Sequence, residues 1–396
     1  MKKTEKSTHH VVFQPTFGNR PDQYIGRDGV IEQFMAGLQE PVGSRNRCTL
    51  FLGQRGMGKT ALLLELSDRA VKADYVVARV TAHEGMAQAI IEQFQLNGSA
   101  FFKDDKRKLT GVTAGALGFT IGLTFSEAAE RQYGFRSKMS LLCDKLAEKD
   151  KGALILIDEV RTSAAMREVA SAYQELVGDG KNIAIAMAGL PHAVSGVLND
   201  QVLTFLNRAT KVELGLISTN LIRAYYERAF KSVGIKVSDG ILNRAALATR
   251  GFPYLMQLIG YYVIQYTPDG GTVDEAIMNK AEKSAMGDME DNVFKPILSP
   301  LSDNDKIFLK AMARLGGTVP TAKLQAVLGK KGPAIQPYRK RLLESGIIEA
   351  PKQPIKILRM LPILSHHHRR TAFLDTIHRI SHNLHITQFA VDNQAI

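Results

Sequence analysis

Short, largely apolar runs punctuate the first half of the chain, at residues 48–52, 75–80, 152–157 and 182–188, and stretches of helical period lie between them. Runs this short without polar alternation fit strands covered on both faces. Strand alternating with helix predicts an α/β domain built on a doubly wound parallel sheet. Residues 112–125 alternate small with large side chains and are rich in glycine, so they read either as a hairpin inserted into that core or as a loop.

After Leu216 the strand pattern stops. Helical period takes over in residues 219–230 and again in 254–264, the latter opened by Gly251-Phe252-Pro253, and this middle region is expected to form a helical lid. Pro296 and Pro300, followed by Ser302-Asp303-Asn304-Asp305, mark a boundary and a helix start. Beyond it, residues 306–313 and 321–328 read as two helices and Gly329-Lys330-Lys331-Gly332 as a turn. A third helix is expected from Pro337, a residue suited to the first helical position, until Ser345-Gly346 stops it, and residues 347–350 start a strand. That order is the pattern of a winged helix-turn-helix. The expected organisation is an N-terminal tail (1–20), an α/β core (21–216), a helical lid (217–298), a winged-helix domain (299–364) and a divergent tail (365–396).

Composition narrows the class. The 396 residues are 45% hydrophobic and 23% charged, which supports two or three packed domains and excludes general disorder. With only Cys48 and Cys143, a disulfide scaffold and a cysteine metal cluster are both excluded, and a reducing compartment is expected. No apolar run approaches the roughly 18–20 residues of a membrane span, and the start MKKTEKSTHHVV is followed by no apolar stretch of the signal-peptide kind. A cytoplasmic protein without a membrane partner is expected. The net charge of +12 is unevenly placed: residues 301–396 hold 15 Lys and Arg against 6 Asp and Glu. A near-neutral body with a basic end suits a nucleic-acid-binding module.

The strongest local signal is Gly53-Gln54-Arg55-Gly56-Met57-Gly58-Lys59-Thr60, which follows the run ending at Leu52 and precedes the leucine-rich stretch 61–66. It fits G-x-x-x-x-G-K-[ST], and a strand before and a helix after are the context in which that spacing makes a phosphate-binding loop. The glycines permit a tight turn whose N–H groups, with the helix N-terminus, point at phosphate oxygens. Lys59 is then positioned to neutralise β- and γ-phosphates and Thr60 to ligate Mg²⁺. Such a loop needs an acidic strand, and the run 152–157 ends in Asp158-Glu159. Asp158 would reach the metal beside Thr60, while Glu159 would orient or deprotonate a water.

Five segments occur in a familiar order: Tyr24-Ile25-Gly26-Arg27-Asp28, Asp158-Glu159, Ala188-Gly189-Leu190-Pro191, Phe205-Leu206-Asn207-Arg208-Ala209, and Arg250-Gly251-Phe252-Pro253-Tyr254. With the phosphate loop, they resemble AAA+-type P-loop ATPases of the origin-recognition-like and STAND-related group of bacteria and archaea, over residues 20–350. The resemblance implies ATP and Mg²⁺ as ligands, an adenine pocket lined by Tyr24, Ile25 and Arg27, and a lid that closes over the nucleotide. It also implies that Arg208 is an arginine finger reaching a neighbouring subunit's γ-phosphate, hence a homo-oligomer. Two departures point to slow hydrolysis, or hydrolysis that needs a partner. Ala188 stands where many relatives carry a polar sensor, and Gly251-Phe252-Pro253-Tyr254 lacks the arginine often found in the lid.

In a winged-helix geometry the third helix lies in the major groove of double-stranded DNA, with Gln336, Tyr338, Arg339 and Lys340 facing bases or phosphates and Lys330 and Lys331 supplying backbone charge. The leading expectation is an ATPase that acts as a nucleotide-driven switch on DNA. Two other readings stand beside it: a STAND-like signalling or defence ATPase whose C-terminal domain binds protein, and a nucleotide-binding scaffold with little hydrolysis. Six of the ten histidines fall in residues 366–385, with Asp375 and Asp392 as the nearby acids, which reads as a divergent or out-of-frame extension rather than a metal site.

Overall fold

Each of the four apolar runs becomes a strand of one parallel sheet in the computed structural model, which describes residues 12–16, 23–102, 119–121, 123–315, 318–329, 332–345, 347–349 and 355–357. The chain divides into two units, residues 1–234 with 251–257, and residues 235–250 with 258–396. The first unit runs α1 (Asp28–Leu38), β1 (Cys48–Leu52), α2 (Lys59–Lys72), β2 (Tyr75–Thr81), α3 (Met86–Gly98), β3 (Phe119–Ile121), β4 (Thr124–Phe125), α4 (Glu127–Gln132) and α5 (Phe135–Ala147). It continues with β5 (Gly152–Asp158), α6 (Ala164–Gly178), β6 (Ile183–Gly189), α7 (Pro191–Leu198), a 3-10 turn (Thr204–Arg208), β7 (Thr210–Glu213) and α8 (Thr219–Ser232). The sheet order is β2-β5-β6-β1-β7, every pair parallel. β3 and β4 pair as an antiparallel hairpin, while residues 112–118 of the expected insertion lie outside the described residues.

Side chains alternate across this sheet even within its continuous apolar runs, because successive residues of a strand point to opposite faces. Ile155 and Ile157 of β5 and Ile183, Ile185 and Met187 of β6 join the core under α3, α5, α6 and α7. Leu154, Leu156, Ala184, Ala186 and Ala188 face the other way, toward Leu62, Leu63 and Leu66 of α2 and Ile31, Phe34 and Leu38 of α1. The alanine face of β6 leaves room for the leucines of α2. Cys48 and Cys143 are free and buried, and burial pushes both thiols up to about 12, so neither is a nucleophile near neutrality. Among the described residues, no helix is long and apolar enough to cross a membrane.

The region expected as a lid is shared between the two units, because α8 groups with the sheet. Its Tyr225 hydroxyl donates to the Val12 carbonyl at 3.2 Å. Phe13, 2% exposed, meets Tyr225, Tyr226 and Phe230 at ring-centroid distances of 5.4, 5.7 and 5.7 Å. Residues 12–16 are thus held by an aromatic plug.

The second unit contains α9 (Asp239–Ala248), most of α10 (Pro253–Tyr266), α11 (Glu275–Met289), a π-turn (Glu290–Phe294), α12 (Lys295–Leu298), α13 (Asp303–Arg314), β8 (Thr318–Val319), α14 (Thr321–Leu328), α15 (Gly332–Glu344), β9 (Ile348–Glu349) and β10 (Ile355–Ile357). Arg244 of α9 binds α11 through Glu282 at 3.0 Å and Asn279 at 2.6 Å. The helix start expected at Ser302 is a capping box with Asp305, whose carboxylate also takes the Arg341 guanidinium at 2.8 Å. The three short strands form one antiparallel sheet, β8-β10-β9. Helix α15 begins at Gly332 and carries Pro337 in its interior, whereas the sequence pattern suggested that Pro337 opens it. Ile335 and Leu342, seven apart and both fully buried, extend the apolar face upstream of the proline and outweigh the lost backbone bond.

Emptying the aromatic plug tests the packing of the first unit. Phe13→Ala is expected to cost about 3–5 kcal/mol, read as a lower denaturant midpoint for the full chain; an unchanged midpoint would show that residues 12–16 do not hold α8.

Candidate nucleotide site

The phosphate loop leaves β1 at Gly53 and enters α2 at Lys59. Gly56 and Gly58 sit at φ +77° and +79°, where side-chain-bearing residues are strained, so the turn needs glycine at both. The Lys59 ammonium folds back on its own loop, donating to the carbonyls of Gly53 at 2.8 Å and Gln54 at 2.9 Å. Burial pushes Lys59 down to about 8, against the pull of Asp158 and Glu159 and with a further push from Arg55. Among the described residues, the Lys59 ammonium forms no ion pair, and its hydrogen-bond partners are two neutral carbonyls.

The acidic strand is not the neighbour of the loop strand, because β6 runs between β1 and β5. Two strand spacings, roughly 10 Å, must be crossed. Thr60, on the first turn of α2, makes the crossing: its hydroxyl donates to one Asp158 carboxylate oxygen at 2.6 Å. The other oxygen accepts the Glu159 N–H at 2.8 Å. Small residues at the end of β6 make this possible, since a Cβ on Gly189 would lie 2.6 Å from Val160 Cγ1. Gly53 N–H donates to the Gly189 carbonyl at 3.2 Å and Val160 N–H to the Ala188 carbonyl at 2.9 Å, fixing the loop against both strand ends. Glu159 is exposed and left-handed at φ +53°, a conformation that costs a non-glycine residue about 1–2 kcal/mol. Strain of this kind gathers at functional sites. A hydroxyl and a carboxylate side by side at a phosphate loop form a hard oxygen set that fits Mg²⁺, an ion that takes one or two carboxylates together with phosphate oxygens.

On the other flank, Tyr24 and Ile25 are half-buried ahead of α1, and a Cβ on Gly26 would touch Ile217 at 3.3 Å and Leu221 at 3.5 Å. Leu216 and Leu221 stay 37% and 47% exposed here, giving an open apolar margin suited to a planar base. Sequence reasoning missed Ile217 and Leu221. Their signal, apolar residues just past the last strand, merges with the helical pattern of α8. Arg27 plays a different part from its neighbours: its guanidinium donates to Gly215 O at 2.7 Å and Met57 O at 3.4 Å, tying the loop to the segment after β7, and burial lowers its pKa. Gly251, at φ +79°, accepts from Ile217 N–H at 2.8 Å, and Tyr254 N–H donates to Gly56 O at 3.2 Å, so Gly251-Phe252-Pro253-Tyr254 packs directly on the loop. His192, also missed, is half-buried near the start of α7; its buried Nδ1 has no hydrogen-bond partner among the described residues. Burial, then the charge of Arg55, holds the imidazole below its usual 6.5.

Not every expected residue joins this cluster. Arg208 is exposed at the end of the 3-10 turn, just before β7, whose first residue Thr210 pairs with Thr49 near the start of β1. It therefore lies at the N-terminal edge of the sheet, a strand length of roughly 16 Å from the loop at the opposite edge. In the second unit, Gln336 and Lys340 of α15 are exposed and Tyr338 and Arg339 half-buried. Lys330 and Lys331 lie outside the described residues.

The caged lysine makes a pH prediction. Between about 8 and its ordinary 10.5, the unfolded chain holds a proton on Lys59 that the folded chain has released, so stability rises with pH across that window. Denaturant titrations of wild type and Lys59→Met are expected to differ by this rise; parallel pH profiles would show that Lys59 is not desolvated.

A family model described as "Domain of unknown function (DUF8462)" matches residues 291–354. No curated protein matches the chain. Among solved structures, a Walker-type ATPase of Pyrococcus abyssi is 16% identical with a TM-score of 0.61, over 85% of this chain and 94% of that one. The ORC2 protein of Aeropyrum pernix, in ADPNP–ADP complexes, is 14% identical with a TM-score of 0.57, over 93% of this chain and 97% of that one. At such identities the likeness is one of architecture: this chain has the P-loop ATPase fold, a five-stranded parallel sheet with helices on both faces.

Proposed function

We propose that the chain binds ATP with Mg²⁺ on residues 53–60 and hydrolyses it slowly, as a nucleotide-driven switch. The observation that carries this reading is the 2.6 Å contact of Thr60 with Asp158, which joins the phosphate loop to the acidic strand across β6. On binding, Lys59 exchanges two neutral carbonyl partners for phosphate oxygens, and the loop N–H groups and the N-terminus of α2 face the same oxygens. Thr60 and Asp158 would hold Mg²⁺, which would supply charge to offset that of the phosphates. Tyr24, Ile25, Ile217 and Leu221 flank the base. Glu159 accepts a hydrogen bond from a water and aims it in line with the γ-phosphate. Arg208 cannot reach its own chain's loop, so it serves the γ-phosphate of a second copy. Ala188 offers no donor at the end of β6, which fits slow turnover.

In the same reading, α13 to β10 form a winged helix and α15 enters the major groove of double-stranded DNA through Gln336, Tyr338, Arg339 and Lys340, with Lys330 and Lys331 on phosphates. The concentration of positive charge in residues 301–396 supports it. The protein is expected to work in the cytoplasm.

Phosphate release tests the enzyme. Glu159→Gln should retain ATP binding by calorimetry while release falls about 100-fold or more, and Arg208→Ala should remove the part of the rate that grows with protein concentration. Undiminished release in Glu159→Gln would defeat the mechanism. Filter binding to duplex DNA at several salt concentrations tests the C-terminal part: Arg339→Ala with Lys340→Ala should flatten the log–log salt slope by about 0.9 per lost phosphate contact, and an absence of any slope in wild type would point to a protein partner.

A further inference from the structure

At the edge of the sheet opposite the phosphate loop lies a cavity of about 810 Å³, a volume in the range of small-molecule sites. Cys48 and Thr210, the first residues of β1 and β7, are in its wall. The strand that ends at the phosphate loop therefore begins here. Three cations reach the cavity, Arg45, Arg208 and Lys211, and among the described residues no carboxylate lines it. Neither arginine has an ion-pair partner among the described residues, and Lys211 donates only to the Asn207 carbonyl, at 2.8 Å. Glu40, the acid that feels Arg45, is occupied by Ser44 and Asn46. The remaining wall is partly apolar, with Phe205, Val177 and Tyr173.

Three cations lining one concavity give it a positive field that draws an anion. Two guanidinium forks beside a point-charge ammonium suit the tetrahedral oxygens of phosphate better than a planar carboxylate, which a single fork satisfies. We propose that this cavity is a second anion site, separate from the phosphate loop, that receives a phosphate-bearing group on Arg45, Arg208 and Lys211 with its organic part against Phe205 and Val177. The occupant is a free phosphate-bearing molecule, because a nucleotide held on a second copy's phosphate loop would keep its organic part on that copy's base-binding margin, away from Phe205 and Val177. The site does not rest on the ATP reading above.

Inorganic pyrophosphate, titrated calorimetrically into the full chain carrying Lys59→Ala, tests this. Binding is expected to survive Lys59→Ala and to weaken about tenfold for each of Arg45→Ala and Lys211→Ala, with partial recovery in Arg45→Lys. The proposal is overturned if Lys59→Ala binds no pyrophosphate, even where Arg45→Ala with Lys211→Ala weakens ATP-dependent self-association in sedimentation, since the cations would then serve only a second copy. It is overturned likewise if the double variant, folded by circular dichroism, binds pyrophosphate unchanged. A wild type that fails to bind ATP while Lys59→Ala binds pyrophosphate would remove the ATP reading and leave this site standing.

Discussion

The reach of Thr60 over β6 is the constraint on which the site depends. A phosphate loop and an acidic strand that were direct neighbours would need no such bridge, but here a whole strand intervenes. The bridge requires that α2 descend close to the sheet and that β6 end in small residues. The alternation of Ile, Ile and Met with three alanines along β6 supplies the first condition, and Gly189 against Val160 the second. One short hydrogen bond thus reports on packing along the length of a strand.

Polar groups near the loop are held in conformations that cost energy. Lys59 is desolvated among carbonyls, Glu159 is left-handed, and His192 keeps a ring nitrogen unmet among the described residues. In the proposed reading Lys59 and Glu159 are the groups that a triphosphate and its water would engage, and rigid surroundings sustain the cost. Arg27 and Gly251 provide that rigidity. The first pins the loop to the segment after β7, and the second brings Ile217 and Tyr254 onto it.

A parallel sheet gives its two edges different chemistry. Carboxyl ends of the strands gather the loop, Asp158 and Glu159, whereas amino ends gather Arg45, Arg208 and Lys211 around a concavity. A strand length keeps the two from meeting within one chain. Whatever couples them must be a ligand, a second copy, or a change transmitted through the sheet.

Much of this was legible in the order of residues. Four largely apolar runs gave four strands, most plainly the interior β5 and β6, because a strand covered on both faces has no side left to be polar. The spacing from Gly53 to Thr60 and the acids ending the run at 152–157 pointed to the loop and to the carboxylate that Thr60 meets, since a glycine-rich turn between strand and helix is set by local backbone. Ser302 and Asp305 announced a helix start through a contact only three residues long. Local rules misplaced the start of α15, where Ile335 and Leu342 outweigh Pro337. What only the tertiary structure decided was distance between parts remote in sequence: that β6 separates the loop from Asp158, that Ile217, Leu221 and His192 border the site, that Arg27 braces the loop, and that Arg208 stands at the far edge. Local backbone preference is written in neighbouring residues, but strand order and the packing of one element on another arise from burying area across the whole chain, and no short stretch of sequence contains them.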